Sequence, residues 1–330
     1  MRKDVAIVGA GFYGLMLGIF LADRYNVTIF EEENDVMTKA SSLCQMRIHT
    51  GMMYPTNLQT ALSCIKTFKP FMVRFKSAIV DNFTSLYAIA SDSKVSCEEF
   101  LTIQKSLGQK FKRIDNTIFS DRVTDVFKCE EFTFDPVIIK SILLKECSEK
   151  NVKIEFNYKV NDVFELSNFD KIFLCNYAEI NSLLRNSGLT PIENISSFAT
   201  EKVFYRDNLD NVAVCVIDGN YFSTMCLPER FNGLKTVTGA DITNNISVDS
   251  NGKYISEYQR LFARMREFIP NIELEYDHSE FGLKSVNRNS NCRTCMVRKE
   301  SFDLDIYSIM GGKITNVFSM FDQLKNLEKF

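Results

Sequence analysis

Val5-Ala6-Ile7-Val8-Gly9-Ala10-Gly11-Phe12-Tyr13-Gly14, then an apolar stretch to Ala22 and Val27-Thr28-Ile29-Phe30-Glu31, is the part of the chain on which the fold turns. An apolar strand runs into a G-x-G-x-x-G turn, a helix follows, and a second apolar strand ends on an acid. Gly9 lets the chain turn sharply out of the first strand, Gly11 lets the backbone approach a pyrophosphate, and Gly14 lets the helix pack closely on the sheet. Phosphates would then meet the free N–H groups of the helix start, and Glu31 would stand where a ribose hydroxyl would be. Strand, glycines, helix, second strand and acid occur in order and at the spacing that a dinucleotide site requires.

Outward from this unit, the chain reads as α/β, α+β overall. An amphipathic segment from Asn57 to Phe68 predicts a helix that Pro70 ends or kinks. Ser96 predicts a cap for a short helix to Leu107, and Asp135-Pro136 is a strong helix start. Val152–Phe156 and Val160–Phe164 read as β-type segments, and Asp170–Cys175 as a buried strand. From Glu201 to Gly239 the pattern suggests an antiparallel meander with a turn at Asp218-Gly219-Asn220. A helix over 255–268, a strand at Ile306–Met310 and a last amphipathic helix complete the chain. The organisation expected is a nucleotide domain in three pieces, 1–56, 133–200 and 281–330, with a substrate domain inserted as 57–132 and 201–280.

The 330 residues carry a net charge of −3 with no basic cluster, which argues against nucleic acid or an anionic membrane as partner. No apolar run approaches the length of about 18 residues that spans a bilayer, and Asp4 and the glycine turn break the resemblance to an export signal. A cytoplasmic protein is the expectation. The ten cysteines lack the spacing of a disulfide framework and read as reduced thiols. Cys292 and Cys295 form a C-x-x-C, but no second pair accompanies it, so no metal is expected.

The loop Ala40-Ser41-Ser42-Leu43-Cys44-Gln45-Met46-Arg47-Ile48-His49-Thr50-Gly51, together with the opening fingerprint, the strand ending Cys175-Asn176-Tyr177 and the sequence Gly311-Gly312-Lys313-Ile314-Thr315, resembles the D-amino-acid-oxidase-like superfamily of FAD-dependent oxidoreductases. That group includes glycine oxidase and glycerol-3-phosphate dehydrogenase. The resemblance implies a Rossmann-like FAD domain built from discontinuous segments, with an inserted antiparallel sheet that binds a small-molecule substrate. It implies FAD held by Gly9, Ala10, Gly11, Phe12, Tyr13 and Gly14 at the pyrophosphate, and by Glu31 and Glu32 at the adenosine ribose. Ser41, Ser42, Cys44, Gln45, Met46, Arg47 and Ile48 would follow the ribityl chain and flavin. Val160, Asn176 and Tyr177 would lie by the mid-chain strand, and Gly311, Gly312, Lys313, Ile314 and Thr315 at the flavin's N1 and O2 edge, where a helix start and a lysine suit the charge of the reduced ring.

Three positions depart from the pattern. Cys44 stands where relatives often have a serine, Cys175-Asn176-Tyr177 where many have Ala-Thr-Gly, and Lys284 where a Gly-x-Arg sequence supplies a planar fork. His49 is one of two histidines and suits proton transfer beside a hydride donor. Its alternatives are to orient the flavin, to attach to it, or to pack as a core residue. Alternation in an extended segment would aim Arg47 and His49 into one cavity, with a solvated or inter-domain ion pair as Arg47's other reading. Catalytic candidates are therefore His49, Lys284 and Arg47, and substrate-binding candidates His49, Tyr54, Lys284 and Arg293, the last one of three arginines with Arg288 and Arg298. The expected reaction removes a hydride from a C–H beside a hydroxyl or amine of a small polar substrate. The run Arg47-x-His49-x-Gly51-x-x-Tyr54-Pro55 is similar to flavin oxidoreductases of bacterial biosynthesis, some tied to surface sugars. The alternatives are a sugar-nucleotide mutase, whose second glycine pair is missing here, and a non-catalytic flavin-bound subunit.

Overall fold

In the computed structural model, residues 2–217, 219, 221–239, 246–289, 292–301 and 304–328 are described. Val5, Ala6 and Ile7 are wholly buried because strand Asp4–Val8 lies inside a six-stranded sheet. The sheet order is Met296–Ser301, Asp305–Met310, Lys171–Leu174, Asp4–Val8, Asn26–Phe30, Lys153–Glu155. All neighbours are parallel except the first pair. Helix Phe12–Leu21 is apolar nearly all round, and it is covered on its outer side by helix Pro136–Glu149 and the final helix Val317–Glu328. Asp135 caps the second of these, accepting from the Val137 and Ile138 N–H groups at 2.9 and 3.3 Å, with Pro136 in the first turn, as the sequence predicts.

The second layer is an eight-stranded sheet in the order Leu274–Asn287, Ile195–Asp207, Lys235–Gly239, Phe222–Cys226, Val212–Ile217, Thr84–Ala90, Val123–Cys129, Phe111–Ile114. Only Val212–Ile217 against Thr84–Ala90 is parallel. Helix Tyr258–Phe268 buries Leu261, Phe262, Met265 and Phe268 against it. A small sheet of Arg47–Ile48, Phe132–Phe134 and Ile79–Val80 joins the layers.

Several sequence expectations are corrected. Helix Leu58–Arg74 continues through Pro70, which sits on the exposed face where water meets the freed carbonyl, while Thr67 and Phe71 on either side are buried. That helix packs against the final helix and the turn before it, so 57–80 lies with the six-stranded layer and not with the eight-stranded sheet, unlike the expected division at residue 56. The strands Ile195–Asp207 and Leu274–Asn287 pair over 13 and 14 residues, so 195–200 and 281–287 belong to the substrate sheet. The expected meander is not sequential: Ile195–Asp207 pairs with Lys235–Gly239 rather than with Val212–Ile217. Val163–Leu166 is a 3-10 turn, not a strand, because Asp162 and Glu165 cap its start reciprocally. In the expected turn at 218–220, Asp218 and Asn220 lie outside the described residues. Among the described residues no helix is long and apolar enough to cross a membrane.

Candidate functional site

The first strand ends at Gly9, whose φ of +101° and N–H bond to the Phe30 carbonyl (2.8 Å) make the sharp exit. A Cβ on Gly14 would lie 1.9 Å from the Gly9 carbonyl oxygen, so turn and helix are in backbone contact. Gly11 begins the helix with no side-chain cap, and the first free N–H, on Phe12, donates to Ser41 Oγ at 2.9 Å. Glu31 is buried at the end of the second strand and accepts from the Ala10 and Glu33 N–H groups at 2.7 and 3.0 Å. Its carboxylate therefore braces the turn from within. Glu32 instead pairs with Lys39 and with Lys159, the latter at 3.1 Å. Beside the turn, Asn176 Oδ1 is buried without a protein partner. A backbone cradle closed to a Cβ at Gly9 and Gly14, leading into the N-terminus of a helix, fits a nucleotide pyrophosphate, while the unsatisfied Asn176 oxygen, an acceptor, suits a hydroxyl donor such as that of a ribose or ribityl chain.

The loop after the second strand is held from several directions. Ser42 Oγ donates to the Lys39 carbonyl (3.1 Å), and Cys44 Sγ to the Ser41 carbonyl (3.6 Å). Burial pushes the Cys44 thiol up, so it stays protonated. Met46 has a φ of +60°, and its carbonyl accepts from Phe134 N–H (3.0 Å) and Thr133 Oγ1 (2.9 Å). Gln45 Nε2 donates to the Ser223 carbonyl at 2.6 Å. Lys202, which the sequence reading missed, reaches in from the substrate sheet. It is almost fully buried, donates to the Ser42 and Cys44 carbonyls at 3.0 and 3.4 Å, and pairs with Glu280 at 2.8 Å. The one available signal was its alternation with Phe204, which puts a lysine on an inward face.

Arg47 does not share a cavity with His49. It is buried on the Glu131 carboxylate, and it also donates to Tyr87 Oη (3.3 Å), Ser223 Oγ (2.8 Å) and the Thr224 carbonyl (2.7 Å). Burial opposes its charge, and Glu131 overrides burial and holds it protonated. Arg47 thus ties Glu131, Tyr87 and the Ser223–Thr224 strand together through both Nη groups, while its buried Nε has no protein partner. Ile48 pairs with Phe132 in the small sheet, and Val160 packs under Phe30 in an apolar cluster.

His49 comes together with Lys313 and Tyr54. Its Nε2 lies 3.1 Å from Lys313 Nζ, Tyr54 Oη is 3.4 to 3.5 Å from its two ring nitrogens, and Lys313 Nζ stands 4.9 Å from the Tyr54 ring centre. The Gly311-Gly312 turn is glycine for reasons of space. A Cβ on Gly311 would press on the Tyr13 ring at 2.6 Å, and one on Gly312 would meet the Arg293 carbonyl at 1.9 Å. Tyr13 Oη donates to the Lys313 carbonyl (2.6 Å), Asn316 Nδ2 to the Arg293 carbonyl (2.8 Å), and the Arg293 N–H to Thr60 Oγ1 (3.0 Å). Ile314 opens the short turn after Lys313, and Thr315 is buried within it.

Three cations crowd this corner. Burial, then Arg293, brings Lys284 down to about 7, and burial with Arg293 and Lys284 holds Lys313 well below an ordinary lysine. Burial and the cations Lys313, Arg47, Arg293 and Lys284 keep His49 well below an ordinary imidazole, so it is neutral. Among the described residues none of Lys284, Arg293 and Lys313 is paired with a carboxylate. Arg293 lines a cavity of about 280 Å³ with Ser285, Asn287, Thr294, Gly311 and Gly312, beyond the carboxyl end of strand Asp305–Met310, where open α/β sheets bind ligands. Of the other two arginines, Arg298 is spent on Glu300 (2.5 Å) and Arg288 is exposed. Cys295 is buried, its carbonyl accepting from Gln323 Nε2 at 2.9 Å, and among the described residues no group of three or more metal-ligating side chains occurs.

No protein-family model matches the sequence. Over 103 residues the chain is 30% identical to the FAD-dependent monooxygenase kojA of Aspergillus flavus, a match covering 29% of this chain and 24% of that protein. The probable FAD-dependent monooxygenase kojA of Aspergillus oryzae matches to the same extent. The chain thus spans about a quarter of the length of these curated relatives. In three dimensions it superposes on glycine oxidase from Geobacillus kaustophilus with a TM-score of 0.74 at 15% identity, over 99% of this chain and 95% of the other. Dithionite-reduced L-α-glycerophosphate oxidase from Mycoplasma pneumoniae, with FAD bound, gives a TM-score of 0.74 at 17% identity, over 100% and 95%. The chain therefore shares the fold of these two oxidases, here a mostly parallel six-stranded layer beside a mostly antiparallel eight-stranded sheet.

Proposed function

We propose that the protein is an FAD-dependent oxidoreductase that takes a hydride from a C–H beside a hydroxyl or amine of a small anionic substrate. The observation that carries this reading is the group of His49, Lys313, Lys284 and Arg293: a neutral imidazole beside an arginine and two lysines that are held below their ordinary range, none of the three with a carboxylate partner among the described residues. Gly9 to Gly14, Glu31 and Asn176 would hold the adenosine diphosphate end of the cofactor, and the Ser41–Ile48 loop with Gly311–Thr315 its flavin end. FAD, when bound, supplies the acceptor for the hydride. The His49–Lys313 pair carries fewer protons than it would in water, so it can take up the proton that leaves the substrate's hydroxyl or amine. Arg293 and Lys284 hold a carboxylate or phosphate on the substrate, and the cofactor's own anionic edge draws on the same field. The similarity of the run from Arg47 to Pro55 to flavin oxidoreductases of bacterial biosynthesis supports a biosynthetic setting, such as assembly of surface sugars.

The test starts from the visible spectrum of the purified protein. A bound flavin that bleaches anaerobically with one member of a panel of amino acids, hydroxy acids, polyol phosphates and sugar nucleotides is the expected result. A protein that stays colourless after incubation with FAD overturns the reading.

A further inference from the structure

Tyr177, three residues past the end of strand Lys171–Leu174 by way of Cys175 and Asn176, has a φ of +48°. A bulky residue in the left-handed region costs on the order of 1–3 kcal/mol and persists only where other contacts over-determine it. The compensation is visible. Tyr177 Oη accepts from the Ser285 N–H at 3.0 Å and lies 3.4 Å from the Ser285 carbonyl, to which it donates. Ser285 belongs to Leu274–Asn287, the edge strand of the eight-stranded sheet, and pairs there with Ser197. Its N–H and C=O face outward, where a neighbouring strand would be, and the phenol takes that strand's place. The ring closes through Ser285 Oγ and Ser197 Oγ, 2.7 Å apart, and from Ser197 Oγ to the Ala178 carbonyl at 3.3 Å.

The residue before Ser285 is Lys284. It alternates on the strand with Gly282, where a Cβ would press on Leu43 of the cofactor loop at 2.7 Å, so the latched strand presents its lysine on the face that meets the loop. We propose that Tyr177 is a positioning residue: a latch between the nucleotide layer and the edge strand that holds Lys284 against the Arg293, Lys313 and His49 group. The role in a reaction rests on the function proposed above, but the latch does not.

The test reads Lys284 directly. Competitive acylation with acetic anhydride across a pH series, followed by mass spectrometry, gives the midpoint of this one amine, and hydrogen exchange reports the Ser285 amide. The groups facing Lys284 are Arg293, Lys313, His49 and the Phe198 ring, 5.9 Å from its Nζ. In the wild type the midpoint is expected near 7. Tyr177→Phe, which removes only the hydroxyl, is expected to raise it by about one unit, roughly a fivefold loss of reactivity at pH 7. Exchange at Ser285 should become about tenfold faster, the scale of one lost hydrogen bond. Tyr177→Gly relieves the backbone strain and is expected to fold and show both changes. An unchanged Lys284 midpoint and unchanged Ser285 exchange in either folded variant overturn the latch. Because neither readout needs flavin, a protein that binds no FAD yet shows both shifts sinks the proposed function and keeps the latch, and the converse result does the reverse.

Discussion

His49 Nε2 lies 3.1 Å from Lys313 Nζ, although the two residues are 264 positions apart. Both groups are bases held in a buried corner with Arg293 and Lys284, and two positive charges at that distance repel strongly there. The imidazole is the one that gives way and stays neutral. With only two histidines in the chain, His49 can be followed by NMR against His278 on the exposed edge strand. Lys313→Met should move the His49 titration upward toward its ordinary value. The shift stops short of that value, because burial, the largest cause, remains. A titration that does not move when Lys313 is removed rules out the pair as a unit.

Lys284 gives a prediction with a definite sign. Its folded midpoint of about 7 lies below the 10.5 of a free lysine, so between these values the unfolded chain binds a proton that the folded chain does not. Stability from this group is fully present above about 10.5 and falls away as the pH drops toward 7. Relative to Lys284→Met, the cofactor-free wild type should therefore gain stability between pH 7 and 10 in urea midpoints, the contributions of Lys313 and of the buried thiols being common to both proteins. At pH 7 Lys284→Met should stabilise the protein by about 1–4 kcal/mol, the range seen when buried ionic groups are replaced by apolar ones. The same variant should lose affinity for small carboxylates and phosphates. Equal slopes in the two proteins would falsify the assignment.

The parts of the fold legible in the sequence are those whose causes are local. The strand-turn-helix at Gly9 to Gly14 and the Asp135-Pro136 cap each need only a few consecutive residues. What escaped depends on distant partners. Arg47 looked free to face His49 because Glu131, Tyr87 and Ser223, which capture it, are set by other strands. Lys202 looked like one more strand residue until the Ser41 to Met46 loop was folded onto it. Pro70 reads as a breaker, yet the burial of Phe71 and Phe75 against Phe12 carries the helix past it. The expected cut at residues 56 and 57 failed for the same reason: the helix that follows is amphipathic, and nothing in it says which layer its apolar face covers.

Gly14 and Gly18 lie one helical turn apart and should respond oppositely to alanine. A Cβ at Gly14 falls 1.9 Å from a backbone carbonyl that cannot move without dismantling the turn. At Gly18 it meets the end of the Ile29 side chain at 2.9 Å, and that side chain can rotate away. Gly14→Ala should cost about 1–3 kcal/mol of stability by overpacking and abolish flavin uptake, read by fluorescence quenching on titration with FAD. Gly18→Ala should bind FAD like the wild type, and its gain in helix propensity should offset part of the packing cost.

The Arg47–Glu131 pair separates the strength of a buried interaction from what it contributes to stability. Both side chains are about 1% exposed, and burial alone would push the Glu131 carboxyl up and leave it protonated. Arg47 and Tyr87 pull the other way. Removing one partner leaves an uncompensated buried charge, so Arg47→Met alone or Glu131→Leu alone should destabilise by about 3–5 kcal/mol. The double variant should recover most of that loss, because the desolvation cost disappears with the attraction it opposed. Recovery should not extend to the cofactor loop. Arg47 Nη2 holds Ser223 Oγ and the Thr224 carbonyl, and Gln45 two residues earlier holds the Ser223 carbonyl, so these contacts fix where the loop meets the substrate sheet. A double variant with near-native urea midpoints but weakened FAD binding is the expected result. Native FAD affinity in that protein would show that the pair serves stability alone.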